Sequence, residues 1–172
     1  MKVYLNKPGS KKEIHRVKID KFDTWNVDVT MAHIIVPLLT EFRKDLHGAP
    51  HVYNEDVPDE LRASDEEKHV YSNNGETDDN WFKRWDYVLD EMIFAFQSKV
   101  DDDWEEQFTS GENDVKFVED PDKKDAEGEP MYTMKYGSKH NREYDWEGIK
   151  KYQTRIDAGF QLFGKYYNGL WD

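Results

Sequence analysis

Two carboxylates, Asp86 and Asp90, are the clearest candidates for chemistry in this sequence of 172 residues. They lie four positions apart in WFKRWDYVLDEMIFAF (residues 81–96), so both project from one face of a helix and could clamp a cation. With a histidine from elsewhere they would form the site of a metal-dependent hydrolase. The same helix supplies no histidine, and exposed acids are the more common outcome of such a pair.

Other catalytic or metal-binding patterns are missing from the sequence. His47 and His51 have ligand spacing only on a helix, which Gly48 and Pro50 prevent. We find no glycine-rich phosphate loop, zinc-protease motif, EF-hand loop or nucleophile elbow. The lack of cysteine excludes disulfides, thiolate metal sites and a cysteine nucleophile. We therefore predict no metal and no cofactor, and the sequence favours a protein without catalytic activity.

The stretch 81–96 carries aromatic side chains on two sides of the helix. The core stripe consists of Trp81, Trp85, Val88, Leu89, Met92 and Phe96, with Phe82 and Ile93 at one edge. Tyr87 and Phe94, two turns apart, lie on the far side next to Lys83 and Asp90. Their face is covered by this chain, by another chain or by a ligand. As a binding site it comprises Lys83, Arg84, Tyr87, Asp90 and Phe94, since aromatic rings beside cations suit planar rings and anions.

The net charge of −13, from 24 basic and 37 acidic residues, limits the classes of partner. Binding to nucleic acids or to anionic membranes relies on Lys and Arg, so both are disfavoured. The same charge permits a basic protein partner, attracted over long range. No apolar run approaches the roughly 20 residues needed to span a bilayer, and MKVYLNKPGSKKE lacks the apolar segment of a signal peptide. These features predict a cytoplasmic protein without a membrane segment.

Three main helices follow from the periodicity of apolar residues. The first runs from Thr24 or Asp28 to His47, the second from Thr77 or Asp78 through Gln97 or beyond, and the third occupies residues 145–172. The first is apolar around most of its circumference, which predicts a buried central helix. In the third, Gly159 and Gly164 predict close packing of another element.

Strands and turns complete the expected fold. Residues 2–7 and 13–20 predict a hairpin around PGSKK, and residues 115–120 and 131–137 predict a second one around the charged loop 121–130. Residues 48–77 form a long polar connection, whose composition favours loose packing. The sequence therefore predicts an α+β fold in which three main helices pack with two β-hairpins in a single domain, residues 1–172.

Four segments carry a resemblance to a known group of proteins: FDTWNVDVTMAHIIVPLL, HGAPHVYNEDVPDELR, NWFKRWDYVLDEMIFAF and FQLFGKYYNGLWD. They resemble an uncharacterised protein family of tailed bacteriophages, over most of residues 17–172. The resemblance brings no activity, cofactor or catalytic residue. It implies a small phage protein in the cytoplasm of a bacterial host, a context in which host takeover and anti-defence roles are common.

The first functional hypothesis is a phage-encoded, non-enzymatic binding protein. It would inhibit a host protein or sequester a small nucleotide-like signal, for which Lys83, Arg84 and Arg155 are the nearest cations. The alternative is the carboxylate and histidine metal-dependent hydrolase. A virion component has no positive signal in the sequence, and a homo-oligomer is compatible with it.

Overall fold

The described part of the chain contains four α-helices, of which α3 is the centre of the packing. The computed structural model describes residues 2–4, 16–101 and 103–171. The helices are α1 (Val27–Phe42), α2 (Asp65–Asn74), α3 (Trp81–Val100) and α4 (Trp146–Tyr166). The chain divides into two compact units, a helical unit of Met1–Asp102 with Thr154–Asp172 and a hairpin unit of Asp103–Gln153. The α+β class is confirmed, whereas the single domain stays a prediction.

α2 is the helix that the expectation of three main helices omits, because it lies inside the polar connection 48–77. Its N-terminus is a capping box: Ser64 accepts from the Glu67 backbone, and the Glu67 side chain accepts from the Ser64 N–H. Its C-terminus is Gly75, in the left-handed conformation at φ 75°. The ends of this helix are therefore marked by its capping residues, whereas its sequence shows little apolar periodicity.

α1 is not the buried central helix that its composition predicts. It ends at Phe42, before a short 3₁₀ turn (Arg43–Asp45), and only Ala32 and Leu39 are buried along it. The buried centre is α3, where Trp85, Val88, Leu89 and Met92 are fully buried. An α3 stripe of large side chains meets α1 on one side and α4 on another, so one face of α1 is sufficient to complete the core.

One of the two glycines in α4 marks a close approach between helices. A Cβ added at Gly159 would lie 2.3 Å from the Glu91 carbonyl oxygen and 2.6 Å from the Ala95 Cβ. The close packing expected there is confirmed. At Gly164 an added Cβ would meet nothing within 4 Å, so the same expectation is wrong for that position.

Three antiparallel strand pairs lie in the described part of the chain. β1 (Lys2–Tyr4) pairs with β2 (Arg16–Lys18), and the expected PGSKK loop between them falls outside the described residues. β4 (Val115–Lys124) pairs with β5 (Pro130–Tyr136), so the turn is shorter than the expected loop 121–130. β3 (Thr109–Ser110) pairs with β6 (Glu143–Tyr144). Each of these strands has only two residues, which is too few to show a periodic pattern in the sequence.

Candidate functional site: an aromatic pocket

The five residues predicted as one binding site occupy separate surroundings along α3. Arg84 is buried and paired with Asp78, whereas Lys83 is exposed and donates to the Asn80 side chain at 3.0 Å. Tyr87, Asp90 and Phe94 each contact a different neighbour, described below. The sequence places these residues on one helix, and among the described residues Arg84 lines one cavity and Tyr87 another.

Asp86 and Asp90 do clamp a cation, which is the side chain of Arg43. The Arg43 guanidinium donates to both carboxylate oxygens of Asp86, at 2.5 and 2.8 Å, and also to Asp90. Burial raises the pKa of Asp90, and the charge of Arg43 offsets this only in part. Asp86 and Asp90 thus link α3 to Arg43 at the end of α1. In the described ranges, no group of three His, Asp or Glu residues could hold a metal ion.

The second aromatic line of α3 is covered in part by α4 of the same chain. The Arg155 guanidinium carbon lies 3.7 Å from the centre of the Phe94 ring, and the same group makes two 2.8 Å bonds to Glu91. Tyr87 is half-buried, packs against the core and lines a surface cavity of about 540 Å³ with Gln161 and Lys165. Burial raises the pKa of the Tyr87 hydroxyl.

A different cavity, which we call the aromatic pocket, gathers rings from three segments of the helical unit. The His51 ring stacks on Tyr71 at 5.7 Å, and Tyr71 meets Trp81 at 4.6 Å. The Tyr53 and His51 rings are nearly perpendicular, with their centres 4.9 Å apart. The pocket has a volume of about 270 Å³ and its aromatic wall is formed by these four side chains. Ring faces and edges therefore bound one side of a small cavity.

The segment before α2 is held in place against this wall by side-chain hydrogen bonds. The Trp81 indole N–H donates to the Ala49 carbonyl at 3.0 Å. Asn54 bonds both the N–H and the carbonyl of Ala63, at 2.9 and 2.8 Å, which closes the loop between them. The Tyr53 N–H donates to the Tyr166 hydroxyl at 3.0 Å. Two aromatic wall residues are thus anchored by hydrogen bonds, Trp81 through its indole N–H and Tyr53 through its backbone N–H.

A network beneath this segment fixes the turn that follows Tyr53. The Tyr166 hydroxyl donates to Asp56 at 2.5 Å, and Lys165 lies 2.6 Å from the same carboxylate and 3.2 Å from Glu55. Burial, followed by the bond to Asp56, raises the pKa of Tyr166 far above its ordinary value. The phenol therefore stays protonated and continues to donate.

The floor of the pocket is a buried ion pair. Arg84 and Asp78 are joined at 2.5 and 3.0 Å, with side chains only 3% and 10% exposed, and Arg84 also donates to the Leu61 carbonyl at 3.0 Å. Burial alone would raise the pKa of Asp78. The bonds from Arg84 and the Asn80 N–H, together with the Arg84 charge, outweigh burial and lower the pKa. The floor is therefore charged but internally neutralised.

The rim of the pocket is acidic. Outside the floor pair, the lining contains Glu55 and Glu67 against one cation, Lys68, which is itself 2.8 Å from Asp65. Lys165, which is not part of the lining, lies 3.2 Å from Glu55 and 4.7 Å from the centre of the Tyr53 ring. Hydrogen bonds from Ser64 keep the pKa of Glu67 below its usual value, so it is ionised at neutral pH. The combination of aromatic wall and acidic rim suits a cationic group better than an anion.

The residues of this pocket were missed because their signals in the sequence point elsewhere. The sequence suggests His51 only as a metal ligand. Tyr71 lies in the polar connection 48–77, and Trp81 belongs to the core stripe of α3. The capping box of α2 was the available signal, since a helix there would carry Tyr71 towards α3.

Comparison of the chain with models of protein families, with curated proteins and with solved structures gives no match. Among the described residues, none of the helices has the length and apolar character that crossing a membrane requires.

Proposed function

We propose that this chain is a non-enzymatic binding protein that accepts one basic side chain of a partner protein in the aromatic pocket. The observation that carries the proposal is the joining of four aromatic side chains to an acidic rim around one cavity. A Lys or Arg side chain matches both parts: its aliphatic stem packs on rings and its charged end meets carboxylates.

The size of the pocket supports a single inserted side chain. Its volume of about 270 Å³ lies just under the range of about 300–1,000 Å³ typical of small-molecule sites. Arg, with Trp and Tyr, is one of the residues that carry most of the binding energy when they fill a well-packed pocket in a protein–protein interface. The net charge of −13 would attract a basic partner over long range.

The resemblance to phage proteins supports a bacterial host protein as the partner. In that context the chain acts in the host cytoplasm, as a host-takeover or anti-defence factor that inhibits the protein it binds. This part of the proposal rests on the sequence resemblance alone.

A nucleotide-like ligand fits the described charges less well. Of the three cations that the sequence offered for its phosphates, Arg84 is paired with Asp78 and Arg155 with Glu91, which leaves Lys83. A phosphate at the aromatic pocket would also face Glu55 and Glu67. The metal-dependent hydrolase stays a prediction, with Asp86 and Asp90 both bonded to Arg43.

The test is a titration followed by NMR at the Trp81 indole N–H. The probes are N-acetyl-lysine amide and N-acetyl-arginine amide, with N-acetyl-norleucine amide as the uncharged match for lysine. We expect saturable shifts of the Trp81 signal with the basic probes and none with norleucine. The affinity should fall about tenfold in Tyr71→Ala, since a cation–π contact contributes about 0.5–2 kcal/mol.

Tyr132→Ala is the matched control, because Tyr132 is an exposed tyrosine of β5 in the hairpin unit and should leave the titration unchanged. Equal shifts with norleucine would contradict the cationic ligand. Shifts with adenosine monophosphate, and none with the basic probes, would replace it with the nucleotide-like alternative.

A further inference from the structure

We infer that the side chain accepted by the aromatic pocket carries a quaternary ammonium, as in a trimethylated lysine of the partner protein. The inference rests on the proposed function, because it names the chemical state of the same inserted side chain. Trimethylation keeps the positive charge of lysine and replaces its three N–H donors with methyl groups. The orientation of the rings and the bonding of the polar groups in the pocket both favour that change.

The aromatic wall presents its rings in several orientations. The ring planes of Tyr53 and His51 are turned by 83°, and those of His51 and Trp81 by 63°. Tyr71 and Trp81 are turned by 37°. A rounded cation with methyl groups on every side can therefore contact more than one ring, whereas a flat group would stack on a single ring. Sites for quaternary ammonium groups are built in this way, from aromatic rings around the cation.

The lining of the pocket carries more negative than positive charge. It contains three carboxylates against two cations, Glu55, Glu67 and Asp78 against Lys68 and Arg84. Both cations have a carboxylate partner, Lys68 in Asp65 and Arg84 in Asp78. Glu67 is hydrogen-bonded by the uncharged groups of Ser64, so its negative charge is available to a bound cation.

Two rings of the pocket already lie beside cations of the chain. The Arg84 guanidinium is 5.8 Å from the centre of the Trp81 ring, and the Lys165 ammonium is 4.7 Å from that of the Tyr53 ring. Each of these cations has a carboxylate partner, at 2.5 Å for Arg84 and at 2.6 Å for Lys165. Their charges are therefore offset, which weakens their repulsion of a cation bound in the pocket.

The polar groups of the lining favour a cation that brings no hydrogen-bond donor. The acidic and amide side chains there all accept a hydrogen bond from this chain already: Asn54, Glu55, Glu67 and Asp78. A primary ammonium has three donors and is strongly hydrated, so entry costs it water contacts that these groups replace only in part. A guanidinium, with five donors, meets the same cost. A trimethylammonium leaves no donor unsatisfied, and its methyl groups add apolar contact with the rings.

The experiment is an NMR titration of the full chain, read at the Trp81 indole N–H. The probes are N-acetyl-trimethyl-lysine amide, N-acetyl-lysine amide and an uncharged analogue of the first, in which carbon replaces the charged nitrogen. We expect trimethyl-lysine to bind about tenfold more tightly than lysine and the uncharged analogue to give no saturable shift. Choline distinguishes the source of the group: binding as tight as that of trimethyl-lysine would support the quaternary ammonium and assign it to a free small molecule.

Substitution of the rings tests whether the preference arises in the aromatic pocket. Tyr71→Leu keeps an apolar side chain but removes the ring face, so trimethyl-lysine and lysine should then bind within about twofold of each other. Tyr53→Leu is a second variant with the same expected direction, and the fold should tolerate it because Tyr53 is 50% exposed. Tyr132→Leu is the matched control in the hairpin unit, and it should keep the tenfold preference.

The outcomes separate this inference from the proposed function. Lysine binding as tight as that of trimethyl-lysine would overturn the inference and leave the proposed function standing. Binding of trimethyl-lysine alone would support the inference and narrow the proposed function to the methylated side chain. If the lysine, arginine and trimethyl-lysine probes all fail to bind, or the uncharged analogue binds as tightly as trimethyl-lysine, both are overturned. A preference that survives Tyr71→Leu and Tyr53→Leu would overturn the assignment to these rings.

Discussion

α1 and α3 are both rich in apolar residues, yet they occupy opposite positions in the packing. Ten of the 20 residues of α3 are buried, among them Arg84, Glu91 and Ser98, whereas two of the 16 residues of α1 are buried. α3 concentrates its large side chains on one arc and gives its buried charges partners. α1 spreads smaller apolar groups around its circumference. The helix with one arc of large apolar side chains and paired buried charges is thus the buried one. The average apolar content of a helix does not predict its burial.

The largest effect is expected from a substitution that breaks the ion pair between Arg84 of α3 and Asp78. Arg84→Met should lower the free energy of unfolding by about 3–5 kcal/mol, because it leaves the Asp78 carboxylate buried without its partner. Urea denaturation followed by circular dichroism measures the change. The matched control is Lys83→Met, the neighbouring exposed cation, which should shift the value by less than about 0.5 kcal/mol.

The comparison between the helices is sharpest at two methionines. Met92 of α3 is fully buried and Met31 of α1 is 50% exposed. Met92→Ala should cost about 2–5 kcal/mol through lost packing and the cavity that it leaves. Met31→Ala should cost less than about 0.5 kcal/mol, because half of the Met31 side chain is already exposed. Similar losses at both positions in urea denaturation would contradict the assignment of α3 as the core helix.

Acid should remove the contribution of the floor pair. Because the folded-state pKa of Asp78 is lowered, its ionised form stabilises the fold above the unfolded pKa of about 3.9. That stability is lost as the pH falls through the lower folded pKa. The difference in unfolding free energy between wild type and Asp78→Asn should therefore be about 1.5–3 kcal/mol at neutral pH and shrink below about pH 4. Denaturation at a series of pH values measures it, and a constant difference would contradict the pairing.

The smallest effects concern the clamp on Arg43. Asp86 holds two guanidinium nitrogens, and both partners are about a third to a half exposed, so Asp86→Asn should cost only about 0.2–1 kcal/mol. Asp90→Asn should change stability less than Asp86→Asn does, since burial already raises the pKa of Asp90 and disfavours its charge. A larger loss for Asp90→Asn in urea denaturation would reverse the roles of the two carboxylates.

The sequence predicts the buried face of α3 because a single stripe at helical spacing leaves one way to dock it. Trp81, Trp85, Val88, Leu89, Met92 and Phe96 are all buried, and Phe82 at the edge is 47% exposed. The prediction that α1 is a buried central helix is wrong. Apolar residues on every side of a helix do not determine how many of its faces pack against other elements of the chain. The number of packing partners is a tertiary property.

The aromatic pocket could not be predicted for a similar reason. Its rings come from positions 51, 53, 71 and 81, and no periodicity relates them. They meet because Asn54 closes the loop to Ala63 and the capping box starts α2 at a fixed point. The five residues predicted on α3 were selected by their spacing on one helix, which does not gather side chains from other segments.

The most direct test of the division between α1 and α3 is the oxidation of methionine by hydrogen peroxide, read by mass spectrometry. Met131 and Met134, 45% and 49% exposed in β5, are internal references. We predict that Met31 is oxidised at a rate close to theirs and that Met92 is protected until the protein unfolds. Oxidation of Met92 as fast as Met31 in the folded protein would contradict the account.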